Sequence, residues 1–288
     1  MTPASPGTPT SQTRETGADT GAASSAPPSQ IRPAAIASLS TALVFGAIIL
    51  AVVNSSGWPA FKRQFLSQRA FERALPEVIR GFGLNVKMFL IAEVIILVFA
   101  LVVAVVRALP GPALLPFRLL GTLYVDVFRG VPTILVIYLL GLGVPSLKLQ
   151  GVTSDPVFWG VAALVLSYGA YVAEVYRSGI ESIHPSQRAA ARSIGLTSAQ
   201  SMRYVILPQA IRRVVPPLLN DFVSLQKDTA LVSILGPMEA MRRAQIDAAG
   251  NFNYTAYLVS ASCFLLATIP LARFTDWLMR RQERGAGR

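Results

Sequence analysis

At 288 residues, with 52% hydrophobic and 14% charged residues and a mean hydropathy of +0.50, the chain is too apolar for an ordinary soluble domain. Several apolar runs approach the roughly twenty residues that cross a bilayer, which reads as an all-α integral membrane protein. The net charge of +11 would suggest nucleic acid in a soluble chain, but in a membrane chain arginines collect in cytoplasmic loops. The single cysteine, Cys263, lies in an apolar run and excludes an intrachain disulfide or a Cys-based metal site.

Residues 1–30 are rich in Ser, Thr, Pro, Ala and Gly, the composition of a disordered tail. They are not a signal peptide, because the first apolar run starts late and ends in VVNSSG without a small-x-small cleavage site. That run, Ile36 to Val53, is long enough for an uncleaved first span. From Asn54 to Asn85, charges mix with Trp58, Phe61, Phe65, Phe71 and Phe82, as in a segment lying at the membrane surface. The first span and this surface segment form an extra N-terminal unit over residues 31–80.

The second span runs from about Val86 to Val106 and stops at Arg107, ahead of Pro110-Gly111-Pro112. A third, from about Leu119 to Leu142, is interrupted by Gly130 and Pro132 just after Asp126 and Arg129. Proline removes a helix hydrogen bond and clashes with the preceding turn, so this span should be kinked or broken. The fourth covers about Phe158 to Tyr176, the fifth Pro216 to Leu235, and the sixth about Tyr254 to Leu278. Residues 282–288 read as a basic C-terminal tail. Trp58 and Trp277 suit the interfaces, and Lys and Arg counts favour both termini on the cytoplasmic side.

Between the fourth and fifth spans lies HPSQRAAARSIGLTSAQSMRYVILP. Pro185 suits a first helical turn, and Gln187, Arg188, Ala189, Ala190, Ala191 and Arg192 favour helix up to Gly195, a natural left-handed cap. Thr197 and Gln200 make a capping box for a second short helix, which Leu207 and Pro208 are expected to end. The alanines let another surface approach closely, and Arg188, Arg192 and Arg203 surround them. The only histidine, His184, reads as a surface residue at the helix start.

In the fifth span Pro216-Pro217 can open a helix. At about 100° per residue, Asn220, Asp221, Ser224, Lys227 and Asp228 then share one side. Asp228 falls near the midplane, and ionisable groups at that depth face a cavity or a partner. Lys227 could instead form an internal ion pair with Asp126 or Glu174. Glu174 and Arg177, three residues apart, read as a local pair.

The spacing Ala190-Ala191-x3-Gly195-x9-Val205-Ile206-Leu207-Pro208 resembles the EAA loop of binding-protein-dependent ABC permeases, which docks on an ATPase. The segment NDFVSLQKDTALVSI is similar to the one that follows this loop in polar-amino-acid permeases. So are YVDVFRGVP, where Val131 replaces the usual Thr, and AYVAEVYR. The resemblance covers roughly residues 81–281 and implies an ABC importer type I permease fold with about six transmembrane helices. It implies a multi-pass protein of the bacterial inner membrane. Its partners would be ATPase subunits that bind ATP and magnesium, an extracytoplasmic amino-acid-binding protein, and a second permease subunit, identical or homologous. Acidic residues at the positions of Asp221 and Asp228 would help line the substrate pocket. One departure stands in the loop: the family's Glu position is Ala189.

Other readings compete. A DNA-binding helix-turn-helix also carries Ala-Ala, a turn Gly and flanking Arg, but a unit held between two spans could hardly reach a major groove. A basic loop could also simply anchor to anionic lipid. For the whole chain, the alternative is a stand-alone secondary transporter or channel whose span-five carboxylates carry protons or cations. None of the four lysines follows a glycine, so there is no Walker A motif, and no metal-ligand spacing occurs. The chain is thus expected to be a permease without a catalytic site, metal or cofactor of its own. Deleting residues 1–30 should leave uptake unchanged, and an inserted but inactive deletion would contradict this.

Overall fold

The computed structural model describes residues 31–108 and 112–286, which are predominantly helical with no strand among them. The tail expected over residues 1–30 lies outside the described residues. The chain divides into two compact units, one ending at Trp58 and the other starting at Pro59. In the first, α1 (Ile31–Val53) carries an apolar window with no buried residue, as suits a helix surrounded by hydrocarbon. Its Ser40 and Thr41 hydroxyls donate to the Ala37 carbonyl, which satisfies them inside the helix.

After α2 (Trp58–Phe65), α3 (Gln68–Ala108) runs unbroken for 41 residues. Of the segment expected over residues 54–85, residues 68–85 lie in the same continuous helix as the second span, and the boundary at 80/81 falls inside that helix. The cause is a continuous seam of buried residues spaced three or four apart: Ala70, Ala74, Val78, Gly81, Asn85, Met88, Ala92 and Ile96. The charges that suggested a surface segment lie on the remaining faces. Gly81 has no room for a side chain, since a Cβ there would meet Ala240 N and the Glu239 carbonyl carbon at 2.7 Å.

The third span is broken as expected. A turn at Pro112–Leu114 leads into α4 (Leu115–Gly130), followed by α5 (Thr133–Tyr138), and the axis turns by 107° between them. Val131 is extended at φ −99°, ψ 129°, the region that a residue before proline prefers. A π-helical turn (Leu139–Gly143) and the short α6 (Val144–Ser146) complete this arm. Next, α7 (Pro156–Glu181) is capped by Asp155, whose carboxylate accepts from Val157 N at 2.9 Å. It forms the centre of the main core, to which it contributes Ala163, Leu164, Ala170 and Ala173, and it packs on α3.

Then come α8 (Pro185–Ser193), α9 (Ser198–Ser201), a π-helical turn (Met202–Ile206) and α10 (Leu207–Asp228). Leu207 and Pro208 do not end the short helix: the chain stays helical from Ser198 to Asp228, and the π-helical turn just before Pro208, where Leu207 N donates to the Met202 carbonyl, accommodates the proline. Pro216 and Pro217 lie inside α10 instead of starting it; they deprive the Arg212 and Arg213 carbonyls of intrahelical donors. A 3-10 stretch (Thr229–Leu235) completes the expected fifth span, ending at Gly236 with φ +98°. The chain continues through α11 (Ala240–Asn251), which was not anticipated, to α12 (Thr255–Ala286), which extends into the segment read as a tail. Among the described residues, four helices are long and apolar enough to cross a membrane, or five with the bent pair counted as one span. The α10 segment is too polar to be counted with them, and that polarity marks the candidate site.

A second core joins Ala74 and Val78 of α3 to Ala240, Ala244, Ala256 and Val259 of α11 and α12. Beside it lies a buried polar joint. The Asn85 amide donates to Glu239 Oε2 at 3.0 Å and to Thr229 Oγ1 at 3.2 Å, while its oxygen accepts from Ala240 N at 3.0 Å.

Candidate functional site

Because α10 is continuous from Leu207 to Asp228, its polar residues share a face as the sequence predicted. Asn220 and Lys227 are exposed, and Asp221, Ser224 and Asp228 are half-buried. Two neighbouring helices approach the carboxylates. Tyr168 of α7 donates its hydroxyl to Asp228 Oδ2 at 2.8 Å. On α3, Glu93 is close enough to Asp221 for the two charges to interact. The edge contact of Phe89 with Phe222, 4.7 Å between ring centres, holds the same two helices together one turn away.

Sequence reading passed over Glu93, although a signal was present: it is the only charged residue between Lys87 and Arg107. A lone carboxylate in so apolar a run marks a functional face rather than a lipid-facing one. The opposite outcome holds for Glu174, which is occupied by Arg107 at 2.9 Å and by Arg177; Arg177 in turn reaches Glu181. The local pair with Arg177 is therefore real, and Lys227 is not paired with Glu174. Among the described residues neither Lys227 nor Asp126 forms an ion pair. The face thus presents three carboxylates, a tyrosine hydroxyl and one unpaired ammonium. Asp221 and Asp228 are about 10 Å apart along the axis. Such a face can hold a small zwitterion that carries a further positive group.

The loop at residues 185–208 has the local geometry its sequence requires. His184 caps α8, with Nδ1 accepting from Ser186 N at 3.2 Å. Gly195 ends it at φ +84°, where Gly195 N donates to the Arg192 carbonyl at 2.9 Å and Leu196 N to the Ala191 carbonyl at 3.1 Å. The capping box is present: Gln200 N donates to Thr197 Oγ1, and Thr197 N to Gln200 Oε1. Ala191 is buried, whereas Gln187, Arg188, Ala189, Ala190 and Arg192 are exposed.

Ile183, Ile206 and Ala210 form a small core beneath the loop. Arg213 of α10 donates to the Ser182 carbonyl, and Gln209 to the Val205 carbonyl at 2.9 Å. A Cβ on Gly179 would collide with the Val214 side chain, so the ends of α7 and α10 meet directly. The loop is therefore packed against both helices that carry Tyr168, Asp221 and Asp228.

The sequence profile described as binding-protein-dependent transport system inner membrane component matches residues 115–288. Among curated proteins, the probable glutamine ABC transporter permease protein GlnM of Bacillus subtilis (strain 168) is 34% identical over 170 residues, 59% of this chain and 77% of GlnM. The arginine transport system permease protein ArtQ of the same organism is 28% identical over 72% of this chain and 93% of its own. The probable amino-acid ABC transporter permease protein PatM of Vibrio harveyi is 34% identical over 70% and 90%. A crystal structure of an amino acid ABC transporter with histidines aligns at a TM-score of 0.68 and 30% identity, covering 75% of this chain and 98% of that one. An inward-facing structure of the MetNI methionine ABC transporter, 20% identical at a TM-score of 0.56, has the same fold.

Proposed function

Because the chain belongs to the family of binding-protein-dependent transport system inner membrane components, we propose that it is the membrane subunit of an ATP-driven importer of polar amino acids. The observation that carries this is the α10 face, where Tyr168 of α7 bonds Asp228 and the Phe89–Phe222 contact brings α3 against the turn that holds Asp221. Relatives named for glutamine and arginine transport support the substrate class. Three carboxylates against one ammonium favour a cationic or zwitterionic substrate, with Lys227 available to its α-carboxylate.

In this reading the loop at residues 185–208 is cytoplasmic and docks on an ATPase subunit. ATP and magnesium bind that separate subunit, and hydrolysis rocks α7 and α10 through the loop. A second permease subunit completes the pathway, a binding protein outside delivers the amino acid, and both termini lie in the cytoplasm of a bacterial cell. The test is uptake into proteoliposomes holding this chain together with an ATPase subunit and a binding protein from the same organism. ATP-dependent uptake of arginine or glutamine is expected. Uptake that ignores ATP and follows a proton gradient would identify a secondary transporter instead.

Gly195→Val should uncouple the machine. The left-handed backbone at φ +84° costs a β-branched residue roughly 1–2 kcal/mol, and nothing lies within 4 Å to block the side chain itself. Folding and insertion should survive. Substrate-stimulated ATP hydrolysis and uptake should both fall, and wild-type values for both would remove the loop from the coupling path.

A further inference from the structure

Between α8 and α9 lies a small cavity of about 110 Å³, lined by Arg188, Arg192, Ser198, Ser201, Met202 and Ile206. Arg188 and Arg192 are four residues apart, so their guanidinium groups share one helix face, an arrangement that destabilises an isolated helix. Neither has an ion pair or side-chain hydrogen bond among the described residues. The sequence offers them no neutralising group nearby. Residues 182–220 contain five arginines and no Asp or Glu, and Glu181 just before them is held by Arg177. Ser198 and Ser201 also line the cavity, and Met202 and Ile206 add an apolar lining.

We propose that this cavity is a socket for one carboxylate side chain of the ATPase, so that the docking surface of the partner is acidic opposite α8. The proposal rests on the reading of the loop as the ATPase-docking element. Two guanidinium groups and two hydroxyls supply donors for both oxygens of one carboxylate. The exposed Ala189 and Ala190 beside the socket leave room for a second protein backbone to come close, which a lipid headgroup does not require. With the partner acidic at this point, Ala189 suits the interface better than an acid would. A glutamate there would face like charge and would compete for Arg192.

The test measures binding of the purified ATPase to the full chain in nanodiscs of neutral lipid. Arg188→Glu with Arg192→Glu should weaken docking roughly tenfold or more, because like charges then meet across the interface. Arg188→Lys with Arg192→Lys should stay within a few-fold. Ala189→Glu should weaken docking too, and added salt should weaken wild type more than the charge-reversed form. Docking that is tightened by Ala189→Glu, or left unchanged by charge reversal, overturns the socket. If Gly195→Val still impairs docking in that case, the loop remains the docking element and only the socket fails. If none of these variants changes docking, the loop reading falls as well. An effect of charge reversal seen only in nanodiscs containing phosphatidylglycerol would assign the socket to anionic lipid and overturn the proposal.

Discussion

Asp228→Asn is expected to lower amino-acid uptake roughly tenfold or more, while assembly with the ATPase is unchanged. Asparagine keeps the shape of the side chain and an oxygen that can accept from the Tyr168 hydroxyl, so the contact between α10 and α7 survives. What disappears is the charge. A carboxylate that pairs with a bound cation in a half-buried site is worth about 2 kcal/mol or more, and about 1.4 kcal/mol is already tenfold. Tyr168→Phe separates the two roles, because it removes the hydrogen bond and keeps the carboxylate, and uptake should then fall much less. Wild-type uptake by Asp228→Asn across a range of substrate concentrations would place the pathway elsewhere and leave α10 as a structural helix.

The polar face of α10 was legible because helical periodicity is local: five polar residues at the right spacing share a side wherever the helix starts. Where it starts was not legible, since Pro208 and Pro216-Pro217 both look like boundaries, yet helical backbone runs through both, with Ala210 and Val214 packed on the end of α7. The break at Val131-Pro132 was legible for the opposite reason, because proline acts on its own backbone. Charges misled the reading of residues 68–85. Arg69, Glu72, Arg73, Glu77 and Arg80 suggested a surface segment, but several of them pair locally or with α11, as Arg73 does with Asp247 at 2.7 Å. The partner helix α11 had been overlooked, so those charges had no visible destination. Glu93 was missed in the same way: its meaning depends on Asp221, which lies 128 residues later in the chain.

The least legible feature in the sequence is the joint at Glu239, and replacing this residue with glutamine is expected to destabilise the bundle by about 2 kcal/mol. Its carboxylate is wholly buried and accepts only: Oε2 from the Asn85 amide and Met241 N, both at 3.0 Å, and Oε1 from Arg242 N at 2.6 Å. Glutamine keeps a single oxygen, so its amide nitrogen must face at least one of these donors, leaving a buried N–H without a partner at about 1–3 kcal/mol. Part of the cap on α11 is lost with it. Burial pushes the Glu239 pKa up, and the three donors pull against it. Asn85→Leu should do comparable damage from the other side, because it strands Ala240 N and removes one of the two donors to Glu239 Oε2. The two substitutions act on one network, so the double variant should be clearly less destabilised than the sum of the singles. Thermal unfolding of the purified complex measures all three. Strictly additive losses would mean that Asn85 and Glu239 stabilise α3 and α11 independently.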